Sequence, residues 1–164
     1  RIYKCINFPL EWKLDRVLFD NISAADTNIF KFNGMWWMMF TVAKTQYSDH
    51  RYETNLFYSD SPLSNNWKEH PKNPIFFDPL RAQNGGLIYD KSKVFRVYQK
   101  HGFGLYGESL GVSEIKFISN KSYIEENLFE IKPRFFNGII GTHTFNYTNG
   151  LLVFDFVKIN STKN

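Results

Sequence analysis

Apolar residues flank an Asn33-Gly34 dipeptide: Ile29-Phe30-Lys31-Phe32 on one side and Met35-Trp36-Trp37-Met38-Met39-Phe40 on the other. Both central residues of a type I′ turn need positive φ, which Asn-Gly supplies, so the pattern predicts a hairpin over 26–40. A second hairpin follows Asn84-Gly85-Gly86, with Leu87-Ile88-Tyr89 and the return Val94-Phe95-Arg96-Val97-Tyr98-Gln99. A third follows Gly141-Thr142-His143, turning at Asn149-Gly150 into Leu151-Leu152-Val153-Phe154. Alignment of Asp26, Asn84 and His143 gives steps of 58 and 59 residues.

A second pattern recurs between the hairpins. Ile2-Tyr3 through Pro9-Leu10 to Trp12 resembles Phe57-Tyr58 through Pro62-Leu63 to Trp67, with the tryptophans 55 residues apart, and Leu110–Phe117 holds the same place in the third unit. One period therefore carries four short strands, the unit of a β-propeller blade. The expected class is all-β, a five-bladed propeller of which the chain covers about three to three and a half blades. By this reading residues 1–24 are the outer half of a blade, 25–80 and 81–135 are blades, 136–158 is the inner hairpin of the last and 159–164 is a disordered tail. Arg16–Phe19 reads as a strand, 44–54 as a flexible polar loop, His101–Gly107 as a Gly-rich loop and 119–130 as a helical turn or loop. Pro71, Pro74 and Pro79 mark a crossing between units, since proline removes a ladder donor. No window sustains apolar residues at helical spacing.

Composition narrows the function. Aromatic residues make up 18% of the 164, which suits half-buried strand faces first and sugar stacking second. The net charge is +4, but the basic residues are scattered, which argues against nucleic acid. No apolar run is long enough to span a bilayer. Cys5 is the only cysteine, so no internal disulfide or Cys-based zinc site forms. His50, His70, His101 and His143 lack ligand spacing, and neither metal nor cofactor is implied.

The starts of the inner strands of a propeller converge at one mouth of its axis. Asp26, Arg81, Asn84 and His143 occupy those starts. Asp26 and His143 are the catalytic candidates; Arg81, Asn84, Arg96, Gln99, Tyr106 and Glu108 are the substrate-binding candidates. Arg96 and Gln99 alternate with apolar Val97 and Tyr98 and are expected on one face, with a clamp between blades as the alternative for Arg96. Glycoside hydrolysis needs two carboxyl groups; Glu108 and Asp155 are possible seconds to Asp26, with Asp155 expected to face a neighbouring blade. Capping of strands is the bland alternative for Asp26 and His143.

Jointly, Phe8-Pro9…Trp12, Asp26-Thr27…Gly34-Met35-Trp36-Trp37, Ser59-Asp60-Ser61-Pro62-Leu63…Trp67…His70-Pro71, Arg81…Asn84-Gly85-Gly86…Tyr98-Gln99…Tyr106-Gly107 and Gly141-Thr142-His143-Thr144…Asp155 resemble a known domain. It is the β-propeller at the N-terminus of plant glucosamine inositolphosphorylceramide transferases, also found beside bacterial sugar formyltransferase modules. Its fold is similar to the five-bladed arabinanase-like glycoside hydrolases. The resemblance implies a part in glycan or glycolipid biosynthesis with a sugar or sugar-nucleotide ligand. A hydrolase of the arabinanase-like type and a non-catalytic sugar-binding or scaffolding module stay open. It also implies a missing upstream part of the propeller, or another chain, as partner, and a cytoplasmic or membrane-associated glycan-synthesis setting.

Overall fold

The computed structural model describes residues 1–159 apart from 46, 48, 103 and 104. Those residues form fifteen strands and no helix. β1 (Ile2–Asn7) pairs antiparallel with β2 (Glu11–Arg16) alone. A first large sheet runs β3 (Ser23–Phe32), β4 (Met35–Ala43), β5 (Glu53–Ser59) and β6 (Lys68–Glu69), with β7 (Phe76–Phe77) on the other end of β5. A second runs β8 (Asn84–Asp90), β9 (Lys93–Gly102), β10 (Leu105–Ile118) and β11 (Tyr123–Ile131). β12 (Ile139–Gly141) pairs with β15 (Val157–Lys158), and between them β13 (Phe145–Thr148) and β14 (Leu151–Phe154) form the third hairpin.

Local chemistry sets the hairpins. Asn33 and Gly34 have φ of 49° and 80°, and Asn149 and Gly150 have the same pair of values, as a type I′ turn demands. β4 is apolar but for Thr41 because both its faces are covered. On one side Trp37 and Met39 join Phe30 and Leu56 against Leu87, Val94, Ile115 and Ile118 of the second sheet. On the other, Met38 and Phe40 pack with Trp67, Leu18 and Phe19. The opposite face of the second sheet packs Val97, Leu110 and Val112 against Phe145 of the third hairpin. The third hairpin joins the second sheet at its β8 edge, where β8 and β13 pair in parallel at Ile88 and Tyr147, so that sheet has six strands in the order β11–β10–β9–β8–β13–β14. The described residues form no closed ring.

Several expectations change. Residues 119–130 form no helical turn, and only 119–122 are loop: they lead out of β10 into β11, which takes 123–130. Glu125 holds the reason, since a buried carboxylate with a cationic partner breaks the apolar pattern without breaking the strand. His101–Gly107 is mostly strand, with only 103 and 104 between β9 and β10. Val17–Phe19 lies beyond β2 and docks Leu18 and Phe19 by packing, not by pairing. Arg96 and Gln99 lie on opposite faces of β9, because residues three apart alternate in a strand; Arg96 shares its face with Tyr98, its guanidinium 4.9 Å from that ring. Of the expected tail at 159–164, residues 160–164 lie outside the described residues.

Candidate functional site

The aligned starts of the three units touch one another. Asp26 sits in a bulge of β3, where the register with β4 jumps between Ala25 and Asn28. Its φ is 54°, a left-handed conformation that aspartate tolerates better than most residues. Asn84 Nδ2 donates to the Asp26 carbonyl at 2.9 Å, and Asn28 Nδ2 donates to the Gly86 carbonyl at 3.0 Å. The Leu87 amide donates to Asn146 Oδ1 at 3.0 Å. Equivalent positions therefore lie side by side, which requires backbones to approach closely. A Cβ at Gly85 would stand 2.8 Å from the His143 carbonyl oxygen, and one at Gly86 2.4 Å from that of Phe145.

A chain of polar side chains crosses this junction. Gln83 Nε2 donates to Asp26 Oδ2 at 3.1 Å, and Gln83 Oε1 lies 2.6 Å from His101 Nε2. The Gly107 amide donates to His101 Nδ1 at 3.1 Å. Nδ1 thus accepts, so Nε2 carries the proton and donates to Gln83. Every bond in the run Gly107, His101, Gln83, Asp26 points the same way, toward the carboxylate. The Tyr106 ring stacks on His101 with centroids 4.5 Å apart and leans on His143 at 4.3 Å. Tyr106 is 58% exposed and forms the open surface of the cluster.

His143 is held by its own hairpin. Asp155, just past β14, accepts the amides of His143 and Thr144 on Oδ1 at 2.7 Å each and faces His143 Nδ1 with Oδ2 at 2.9 Å. Burial acts to raise the Asp155 pKa, but these donors outweigh it and the net shift is downward. Asp155 therefore serves the His143 turn and does not face a neighbouring blade. His143 Nδ1 therefore donates to the Asp155 carboxylate, while Nε2 is buried and without a hydrogen-bond partner among the described residues. Gly107 lies against it: with φ of 70°, a Cβ there would come within 2.7 Å of Nε2.

Arg81 and Arg96 are elsewhere. Arg96, fully buried, grips Glu125 through Nε and Nη2 at 2.8 and 2.9 Å, donates through Nη1 to the Arg81 carbonyl and lies 4.4 Å from the Phe76 ring. Arg81 Nη2 binds the same Glu125 at 2.8 Å. Arg96 thus ties β9 to β11 within one sheet and reaches the first sheet only through the Phe76 ring, and the Arg81 guanidinium joins the same group. Asn84 bridges the two groups, with Oδ1 accepting from Arg96 at 3.2 Å. Gln99 is buried and donates to the Asn84 carbonyl at 2.8 Å. Glu108 is exposed on β10, and among the described residues no hydrogen bond ties it to the cluster.

The cluster thus holds two residues outside the sequence-based candidates, Gln83 and His101. Counting outward from the Asp90–Lys93 pair of the second hairpin places residues near 101 opposite those near 83, so the register held the signal. The pKa of His101 is lowered from 6.5, by burial first and then by the charges of His143 and Arg51, against smaller pulls from Asp26 and Asp49. The unfolded chain then takes up the proton first as pH falls. This imidazole's contribution to stability is complete above pH 6.5 and is lost below it, down through the lower native value. In an NMR titration the His101 ring should protonate below pH 6.5 with the Gly107 amide shifting alongside; protonation above 6.5 contradicts the assignment.

Among the described residues no group of three or more His, Cys, Asp or Glu side chains is arranged to hold a metal ion, and no helix is long and apolar enough to cross a membrane. No solved structure matches the chain. Curated relatives do. Glucosamine inositolphosphorylceramide transferase 1 of Arabidopsis thaliana is 34% identical over 128 residues, 76% of this chain and 16% of that protein. Its namesake in Oryza sativa subsp. japonica is 31% identical over 128 residues, 76% of this chain and 17% of the relative. The chain thus spans about one-sixth of the length of the curated relatives it matches. The family model for the N-terminal region of glucosamine inositolphosphorylceramide transferase 1 matches residues 1–146, so the chain belongs to that family.

Proposed function

We propose that the chain is part of a β-propeller that binds a sugar at the Asp26–Gln83–His101–Tyr106–His143 cluster, in the service of sugar transfer during glycan or glycolipid synthesis. Its repeats, on this reading, are 25–80, 81–135 and 136–158, preceded by an outer half at 1–24. The observation that carries the proposal is the junction itself. Side chains from three successive units meet there around an exposed aromatic ring, bringing acceptors, donors and a stacking face to one place. Carboxylate acceptors suit sugar hydroxyls, and the Tyr106 face suits the apolar side of a pyranose. Family membership supports the setting, since the relatives are named for glucosamine and for a transferase.

Mechanistically, Asp26 accepts hydroxyl protons, oriented through Gln83 by the neutral His101. His143, its Nδ1 held by Asp155, lies beside the Tyr106 face with Nε2 as the candidate acceptor or base. Calorimetry with glucosamine and with UDP-glucosamine tests this. Asp26→Asn, Tyr106→Ala and His143→Ala should each weaken binding about tenfold, ~1.4 kcal/mol. Arg81→Lys should leave affinity unchanged while lowering the melting temperature. Unchanged affinity in the first three, with melting intact, removes the site.

A further inference from the structure

At the end of β3 away from Asp26, a cleft of about 330 Å³ opens between the first and second sheets. Phe32 stands at its lip, about 20 Å of extended chain from Asp26. Trp37 and Tyr58, cross-strand partners whose rings lie 5.7 Å apart, line its first-sheet side. Trp37 Nε1 donates to the Phe32 carbonyl at 3.2 Å, which fixes the indole. Asn33, in the β3–β4 turn, and Asn120, in the β10–β11 turn, bring one primary amide from each wall, and neither amide has a hydrogen-bond partner among the described residues. The second wall is braced from the first. His70, just beyond β6, receives the Lys72 amide on Nδ1 at 3.2 Å, so Nε2 carries the proton and donates to the Ser119 carbonyl at 3.0 Å. Ser119 Oγ in turn accepts the Lys121 and Ser122 amides. The cleft therefore exists before any ligand enters, which removes an ordering cost from binding.

We propose that this cleft is a second sugar site, taking one neutral pyranose ring. Among the described residues that line it none is charged, so nothing there balances a phosphate or a carboxylate. A purely apolar ligand is disfavoured as well, since it would strip water from the two amides without replacing the hydrogen bonds. A pyranose meets both demands. Its C–H face lies on an aromatic ring, here the half-buried Tyr58, and its hydroxyls exchange donors and acceptors with Asn33 and Asn120. The volume is at the small end of the range for small-molecule sites and suits one ring. With no carboxylate or imidazole among its lining residues, the cleft holds a sugar without moving protons on it. Its role is to anchor a glycan away from the Asp26 cluster.

Glucose titration followed by NMR should shift the Trp37 indole N–H and the side-chain amides of Asn33 and Asn120 on one saturable curve. Asn33 has φ of 49°; Asn33→Asp keeps a residue that tolerates this conformation and removes the amide donor, while Asn120→Ala removes the whole amide. Each should weaken the affinity read at Trp37 about five- to tenfold, with the rest of the spectrum kept. Asp26→Asn and Tyr106→Ala should leave that curve unchanged, which separates this cleft from the cluster whether or not sugar binds there. Sorbitol, which offers hydroxyls without a ring face, should shift Trp37 far less. The proposal is overturned by no saturable shift at Trp37, by an affinity indifferent to both asparagine substitutions, or by an equal response to sorbitol. Loss of the curve in Asp26→Asn overturns it too.

Discussion

Arg96→Met is expected to cost about 3–5 kcal/mol, the usual penalty for removing one partner of a buried ion pair. Arg96 is wholly buried and Glu125 nearly so. The pair spans 29 residues of sequence, and Glu125 also accepts from Arg81 and from the Tyr123 hydroxyl at 2.5 Å. Loss of the guanidinium leaves a carboxylate without its main partner and strips the faces of Phe76 and Tyr98 of a cation. Urea denaturation should show a lower midpoint. Arg96→Met with Glu125→Met should recover part of the loss, since the stranded charge is then gone; a double variant no more stable than the single one contradicts this account. Acid gives a second handle. Burial pushes the Glu125 pKa up, but Arg96, Tyr123 and Arg81 outweigh it and bring the value from 4.5 to about 2. A depressed native pKa means stability present above pH 4.5 and lost as pH falls toward 2, about 3 kcal/mol for this group. That acid limb should flatten in Arg96→Met.

Gly86→Ala is expected to cost about 2–4 kcal/mol, since it combines strain with overpacking. Gly86 has φ of 134°, and a Cβ would meet the Phe145 carbonyl oxygen at 2.4 Å and Asn146 Oδ1 at 2.7 Å. Neither neighbour yields cheaply: one is backbone, and the other accepts from the Leu87 amide. The damage should be local to the junction, with faster hydrogen exchange at Leu87 and weaker sugar binding. Gly34→Ala is the comparison. Its φ of 80° is also unfavourable, but nothing lies within 4 Å, so its cost should stay near ~1 kcal/mol. Equal melting temperatures for the two variants would show that close approach at Gly86 is not what the glycine serves.

What the sequence revealed and what it hid follow from the range of the interactions. The Asn33-Gly34 and Asn149-Gly150 turns were legible because their chemistry is complete within two residues. The steps of 58 and 59 were legible too, and the bonds from Asn84 to Asp26 and from Leu87 to Asn146 connect positions at those separations. The contacts of Arg81 could not be read from its position: it matches the inner starts, while its guanidinium binds Glu125, 44 residues on, and lies over the rings of Phe76 and Tyr98. β11 was hidden for the same reason: Glu125 reads as a loop residue until its partner is known. The alignment of Asp26 with His143 was readable by position, while the approach of Gln83 and His101 to them needed the register of a strand that runs further than its glycines suggest.

The polarity of the hydrogen-bond chain to Asp26 has a further consequence for when the site exists at all. The hairpins zip up from their own turns, within about 1–10 μs. The bond from Gln83 to Asp26 and the contact of Tyr106 with His143 belong to no single hairpin. They form only when whole units stack, after the loop entropy of the intervening residues has been overcome. A chain with every hairpin in place but its contacts between hairpins unmade would show native circular dichroism without the cluster. If the cluster binds a sugar as proposed, binding competence marks the last event of folding, and a bound ligand, by holding Asp26 and His143 together, would act as a bolt on that event.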